Sequence, residues 1–428
     1  MPSEDQKKNI VIIGGGIIGC TTAYFLTRHP SFDPAKHTIT LLEASKIAGG
    51  ASGKAGGLLG LWAYPSNIVP LSFRLHAELA AEHNGAERWG YRRLNVGQID
   101  CKGRQLPDKT APSSGASIKG LPADDETKAR VSLKKRTKEA LGLLRAAGLP
   151  EDLDWVSHDS VRSYDEMGNE SNSGQVHPFH FTTSMAALAE EAGAKIVLGA
   201  RVTSIDSLSS AVKSVTYASS SSSSPETTIP ATHVVLAAGP WTSRLFPASR
   251  IGGLRAHSVT IRPSAPVSGY ALFTSIDLPP NFSRTGETKN KQRSGYQTVT
   301  PEIYARPNNE IYACGEGDHL VPLPETTEDV VTDDSRCQDI VDYVGSISDE
   351  LRDGEVTVRQ ACYLPVCEGD KGPFIGEVRD VKGLILGSGH SCWGIQNGPA
   401  TGKLISEIVL DGKAMSAKLG KLDPKVAL

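Results

Sequence analysis

The run NIVIIGGGIIGC, residues 9–20, constrains this chain more than any other stretch. Its first half is apolar and β-branched, as in a strand buried on both faces. Gly14, Gly16 and Gly19 then fall in the spacing G-x-G-x-x-G. From Ile17 to about His29 the residues Ile18, Cys20, Ala23, Phe25 and Leu26 suit a helix packed on a sheet, and Pro30 helps to end it. TITLLEA (38–44) supplies a second buried strand. Strand, glycine turn, helix and strand make a βαβ unit and hence a parallel sheet. The first glycine allows a tight turn, the second lets backbone approach a pyrophosphate, and the third lets the helix sit close on the strand. The phosphates then face a helix N-terminus that carries roughly half a positive elementary charge. Glu43 ends the second strand, where a carboxylate can accept hydrogen bonds from ribose hydroxyls. This order of features predicts a dinucleotide site.

The rest of the composition narrows the partners. A chain of 428 residues holds about two or three domain-sized units. A net charge of −3 gives no reason to expect nucleic acid or an anionic membrane as a partner. The seven cysteines form no CxxC pair and no zinc-like spacing, so no metal site is expected and a reducing compartment is. The polar start MPSEDQKKN offers no secretory signal, and no stretch approaches the roughly 20 apolar residues of a transmembrane helix. A cytoplasmic location is expected.

Further along, VHPFHFTTSMAALAEEAGAKIVLGARVTSI (176–205) predicts a helix closed by Gly193 and then strands, and HVVLAAGPW (233–241) another buried strand. The six serines 219–224 are expected at a hairpin tip. Residues 102–120 and 283–295 are expected as inserted loops, and EIYARPNNEIYACGEG (302–317) as two strands around an Asn-Asn turn. Parallel-sheet signals at the start, middle and end, with antiparallel signals between, predict a discontinuous domain with a second one inserted.

The second strand does not continue into regular β and α units but into EASKIAGGASGKAGGLLG (43–60), a loop able to press amides and hydroxyls against a flat ring. VIIGGGIIGCTTAYFL, LLEA, GGASGKAGG and VVLAAGPW resemble the FAD-dependent D-amino-acid oxidase, glycine oxidase and sarcosine oxidase superfamily. The resemblance covers residues 9 to about 105, 176–262 and 302–410. QACYLP and GHSCWGIQNGPATGKL further resemble a fungal group of FAD-dependent oxidoreductases linked to endosomal traffic.

The resemblance implies an α/β fold. A Rossmann-like FAD-binding domain would be assembled from 1–95, 165–256 and 356–428, and a mixed or antiparallel substrate domain from 96–164 and 257–355. For FAD it implies Gly14, Gly16, Ile17, Ile18 and Gly19 at the front turn, with Glu43 and Ala44 beside it. The following loop would contribute Gly50, Ala51, Ser52, Lys54, Ala55, Gly56, Gly57 and Leu58. Val202, Ala238, Gly239 and Trp241 come from the middle, and Cys362, Gly389, His390, Trp393, Gly394, Ile395 and Gln396 from the rear. The last strand, LILGSG (384–389), would lead to a C-terminal helix starting near Pro399. Its positive end would face the flavin edge that gains negative charge on reduction. FAD is expected to be held non-covalently, with a thioether through Cys362 as the alternative.

Flavin amine oxidation moves a hydride from the carbon next to nitrogen, so the protein mainly positions substrate and excludes water. His390 and Trp393 are expected at the ring. Relatives place a carboxylate-gripping arginine where this chain has Tyr363, Leu364 and Pro365. Arg306, Arg262 or Arg359 could supply that cation instead, and Lys54 or His257 could act on the oxygen side. The expected reaction oxidises a C–N bond of an amino acid or secondary amine, with oxygen as acceptor and hydrogen peroxide as product. Two alternatives stay open: an NAD(P)-dependent dehydrogenase, and a flavoprotein that serves endosomal traffic by binding, with little turnover.

Overall fold

A computed structural model describes residues 7–106, 148–207, 210–219, 225–282, 297–370 and 372–428. The strand Lys8–Ile13 lies inside a six-stranded sheet, paired in parallel with His37–Glu43 on one side and His233–Leu236 on the other. Lys195–Leu198 extends the sheet beyond the first neighbour and Leu384–Ser388 beyond the second, both in parallel. Phe374–Glu377 closes the far edge antiparallel. Burial on both faces follows from period-2 alternation. Ile10 and Ile12 pack into a helical layer with Ile17, Phe181, Leu404 and Ile405, while Val11 and Ile13 pack against Ala200, Val215 and Ala231 of an antiparallel meander. Each fully buried aliphatic side chain contributes about 1.5–3 kcal/mol.

The helical layer joins the two ends of the chain. Helix Ile17–Thr27 packs on the C-terminal helix Gly394–Asp411, and the Thr21 hydroxyl donates to Gly398 O at 2.9 Å. Glycine makes this approach possible: a Cβ at Gly402 would lie 2.5 Å from the Thr21 carbonyl carbon, and one at Gly398 2.6 Å from Ile17 Cγ1. The C-terminal helix begins at Gly394, not near Pro399, which lies inside it. Proline has no amide to give Ile395 O, and the buried His76 Nε2 approaches that carbonyl at 3.0 Å instead. The helix therefore keeps its proline because a side chain from Val69–Glu82 takes the orphaned acceptor.

The second sheet has eight strands. The chain orders Glu355–Cys367, Ile251–Arg262, Glu310–Cys314, Glu302–Arg306, Tyr270–Leu278, Asn95–Lys102 and Val161–Gly168 side by side, with Gln297–Val299 on the flank of Tyr270–Leu278. Among the described residues of this sheet only Tyr270–Leu278 and Asn95–Lys102 pair in parallel. Asn308 and Asn309, at φ 65° and 56°, make the expected tight turn between two of these strands. One face buries Ile99, Leu272, Ile303 and Ile311 under the helix Asp334–Gly345, whose first amides Asp333 caps. The two longest strands, Ile251–Arg262 and Glu355–Cys367, reach the first sheet's core through Ile251 and Cys367. The six-stranded, mainly parallel sheet with helices on one face and this mixed sheet match the expected α/β architecture of a Rossmann-like domain beside a second, mixed-sheet domain.

The helix Pro178–Glu191 forms as expected and Gly193 follows at φ 98°. Strands Ser214–Ser219 and Thr227–Pro230 pair antiparallel, as a hairpin around the serine run requires. Ser220–Ser224, most of the 102–120 loop and the 283–295 loop lie outside the described residues.

Two fully buried histidines make this core acid-sensitive. Burial pushes His76 down to about 4 and His390 down to about 3. Below the ordinary histidine range the unfolded chain takes protons that the fold refuses, so their contribution is complete above about pH 6.5 and is lost as pH falls towards 4. The loss is about 2 kcal/mol per histidine at pH 5. The melting temperature is expected to fall steadily from pH 6.5 to 4.5, as differential scanning fluorimetry can check.

Candidate active site

The glycine turn is held by backbone geometry. Gly14 has φ 109°, and a Cβ there would lie 2.4 Å from Ala237 O. A Cβ at Gly19 would lie 2.0 Å from Gly14 O. Glu43 braces the turn: the Gly15 amide donates to its Oε2 at 2.7 Å and the Ser45 amide to its Oε1 at 2.9 Å. The Ile17 amide, first in its helix, donates to Ser52 Oγ at 2.9 Å. A long cavity runs from this turn between the two sheets.

Gly14, Gly16, Ile17 and Ile18 line its front with Glu43, Ala44, Gly50, Ala51, Ser52 and Ala55. Val202, Ala238, Gly239 and Trp241 line the middle, and His390, Gly394 and Ile395 the rear. Segments nearly four hundred residues apart in sequence thus enclose one space. At the rear, Gly389 turns the chain at φ 86° out of the last strand. His390 follows, buried, its Nε2 2.9 Å from Thr401 Oγ1, and burial keeps it neutral. The positive end of the 18-residue helix opens at Gly394, on the cavity wall.

Other expected residues support this wall without lining it. A Cβ on Gly56 would strike the Tyr304 ring at 2.1 Å, and Gly57 (φ 91°) passes under Val176 O. Leu58 pairs with Gln175 on a neighbouring strand. Gln396 accepts the Gly60 amide at 2.8 Å, and Trp393 packs edge-on to Trp62. Lys54 donates to Ala361 O at 2.8 Å, beside Cys362, whose thiol burial pushes up to about 11.

The candidate cations fall elsewhere. Arg306 is buried, donates to Ala55 O and Gly56 O, and pairs with Glu310 at 2.8 Å. It clamps the ring loop to the second sheet. His257 accepts the Asp333 amide at 3.1 Å, next to the buried Arg255–Asp318 pair on the Asp334–Gly345 side of its sheet. Arg262 pairs with Glu355 at 2.6 Å, and Arg359 reaches Asp334 O at 3.3 Å.

Residues 323–327 had no signal in the sequence, yet they cross the front of the cavity. Trp241 Nε1 donates to Pro324 O at 2.7 Å, Arg244 to Leu323 O at 2.9 Å, and the Thr327 hydroxyl meets Ser45 Oγ. Arg201, Arg244, Leu364, Pro365 and Cys392 also line the cavity. Leu364 and Pro365 stand in the QACYLP stretch and Cys392 in GHSCWGIQNGPATGKL; Arg201 and Arg244 needed the tertiary contacts.

A glycine turn at one helix N-terminus, a second helix N-terminus at the far end, and a mixed sheet over the cavity define a dinucleotide-dependent oxidoreductase. The chain belongs to the FAD-dependent oxidoreductase (DAO) family, whose sequence model matches residues 9–408. It is 37% identical to the "Putative oxidoreductase TDA3" of Saccharomyces cerevisiae, over 99% of this chain and 95% of the relative. It is 34% identical to the "Putative oxidoreductase C1F5.03c" of Schizosaccharomyces pombe, over 99% of both. The solved structure of glycine oxidase from Geobacillus kaustophilus has the same fold, with a TM-score of 0.67 at 19% identity over 99% of this chain and 100% of that one.

FAD is therefore the cofactor, and the residues present fit it. The cradle at Gly14–Gly16 is one that a Cβ would fill, at the N-terminus of a buried helix. Among the described residues no helix is long and apolar enough to cross a membrane.

Proposed function

We propose that the protein oxidises a C–N bond of an amine or amino acid, with oxygen as electron acceptor. The observation that carries this reading is the convergence of the front and rear glycine segments on one cavity, with a helix N-terminus at each end. When bound, FAD would supply a hydride acceptor for the carbon next to nitrogen and a route for the electron pair to oxygen, so that amine, oxygen and water would give carbonyl compound, amine fragment and hydrogen peroxide.

The chain's own residues bind and orient. Gly14, Gly16 and the Ile17–Thr27 helix would hold the diphosphate, with Glu43 bracing the turn and able to meet a ribose. Gly394 and Ile395 would set the positive end of their helix against the ring. His390, neutral at working pH, is a hydrogen-bonding wall and not an acid. Gly56, under Tyr304 and Tyr312 and clamped by Arg306, keeps one side of the ring space dry. Cys362 does not line the cavity and is kept as a thiol by burial, which favours non-covalent FAD.

The test is anaerobic titration of the purified yellow protein with glycine, sarcosine, proline and N-methylbenzylamine, followed by admission of air. Bleaching by an amine, then recolouring with peroxide formed, is the expected result, and acid precipitation is expected to leave the flavin in solution. Flavin that no amine bleaches, and that reoxidises slowly after photoreduction, would overturn it in favour of a binding role.

A further inference from the structure

We propose that the space beside the ring end of this cavity, behind its lining and walled by aromatic rings, selects a cationic amine that lacks a carboxylate, with Glu302 receiving the ammonium group. This deepens the amine-oxidation reading and rests on it. Glu302 opens the strand Glu302–Arg306 and stands in register between Phe273 and Cys314. Alternation puts Glu302, Tyr304 and Arg306 on one face. That face meets the ring loop: Tyr304 lies against Gly56, and Arg306 donates to Ala55 O, whose residue lines the cavity.

The carboxylate is lopsided. Tyr304 Oη and, at 3.9 Å, Cys314 Sγ both donate to Oε2. Among the described residues nothing donates to Oε1, and no lysine or arginine pairs with the group. Glu302 is half-buried, and burial raises its pKa against the hydrogen bonds from Tyr304 and Cys314. Its charge is felt at the cavity wall, since it helps to raise the Cys392 thiol. A ligand cation would supply the missing partner.

Aromatic rings lead outward from this point. Tyr304 contacts Phe273 at 6.2 Å, Phe273 contacts Trp62 at 6.3 Å, and Trp62 contacts Trp393 at 5.8 Å. Trp393 then meets the exposed Tyr64 at 5.7 Å. Ring faces attract ammonium groups and repel carboxylates. The arginines that line the cavity, Arg201 and Arg244, flank the segment 323–327. Arg306 is committed to backbone carbonyls and Lys54 to Ala361 O. Among the described residues that line the cavity, no lysine or arginine stands at the ring end to meet a carboxylate.

The test uses the full FAD-loaded chain and two phenyl-bearing probes of opposite charge, benzyltrimethylammonium and benzoate, titrated while the flavin spectrum is followed. The quaternary ammonium has no nitrogen lone pair, so binding is read without turnover. Wild type is expected to bind the ammonium more tightly than benzoate. Glu302→Gln is expected to weaken the ammonium about tenfold or more and leave benzoate unchanged or tighter, with Glu302→Asp between. Ammonium affinity is expected to fall as pH drops through the raised range of Glu302.

Tighter benzoate binding, binding of neither probe, or a Glu302→Gln effect within about twofold would overturn the proposal. If Glu302→Gln fails to hold flavin, the wild-type ranking of the two probes still decides. Bleaching by sarcosine with benzoate the tighter probe would sink this inference and spare amine oxidation. Ammonium binding as expected with no bleaching by any amine would do the reverse.

Discussion

A Gly14→Ala protein is expected to purify without colour. The added methyl group would sit 2.4 Å from Ala237 O and 2.9 Å from its carbon, at a residue whose φ is 109°. The left-handed conformation alone costs an alanine about 1–2 kcal/mol. The neighbouring backbone cannot yield cheaply, because the Ala237 amide is bonded to Ile13 O at 2.9 Å, at the end of the paired strands. Relief must come from the turn itself, which moves the Gly15 amide off Glu43 and re-aims the amides that would face the diphosphate. We expect FAD affinity to fall about 100-fold or more, roughly 3 kcal/mol. The absorbance ratio of purified protein and calorimetric titration of the apoprotein measure it. Gly193→Ala is the matched control: Gly193 also has a positive φ, 98°, does not line the cavity, and a Cβ there meets nothing within 4 Å. It is expected to lose about 1 kcal/mol. Equal flavin content in wild type and Gly14→Ala would refute the assignment of that turn.

Gly402→Val is expected to damage the fold itself. At Gly402 the new atoms would meet backbone, with the Thr21 carbonyl carbon 2.5 Å away, so the two helices must separate. Separation breaks the Thr21–Gly398 hydrogen bond and opens the layer that buries Ile17, Leu404 and Ile405. It also displaces the helices whose N-termini bracket the cavity. Overpacking of this kind costs about 3 kcal/mol. A lowered denaturation midpoint and loss of flavin should therefore appear together. An unfolding free energy within about 0.5 kcal/mol of wild type would mean that the helices do not meet there.

These two glycines show where reading the sequence stops. The front motif declares itself locally: strand, turn, helix and second strand are consecutive, and each needs only its own neighbours to form. The Asn-Asn hairpin and the helix closed by Gly193 are legible for the same reason. The rear glycines Gly394, Gly398 and Gly402 fall in one short stretch of sequence. In the structure Gly394 lines the cavity, while Gly398 and Gly402 admit the Ile17–Thr27 helix. No local rule separates the two uses, because the difference lies in what stands opposite.

The start of the C-terminal helix was misplaced for a related cause. Pro399 signals a first turn, and only His76, more than three hundred residues earlier, makes an interior position tolerable. Arg306 carries the residue type of a substrate cation, and its neighbours alone make it a clamp. Glu302 carried no motif and gained its interest from the partners it lacks. The sequence by itself thus determined the βαβ unit, the dinucleotide turn and the family, since these depend on short-range backbone geometry. The tertiary structure decided which glycines serve packing, which charges are already satisfied and which side chains share the cavity, because those depend on contacts between residues hundreds of positions apart.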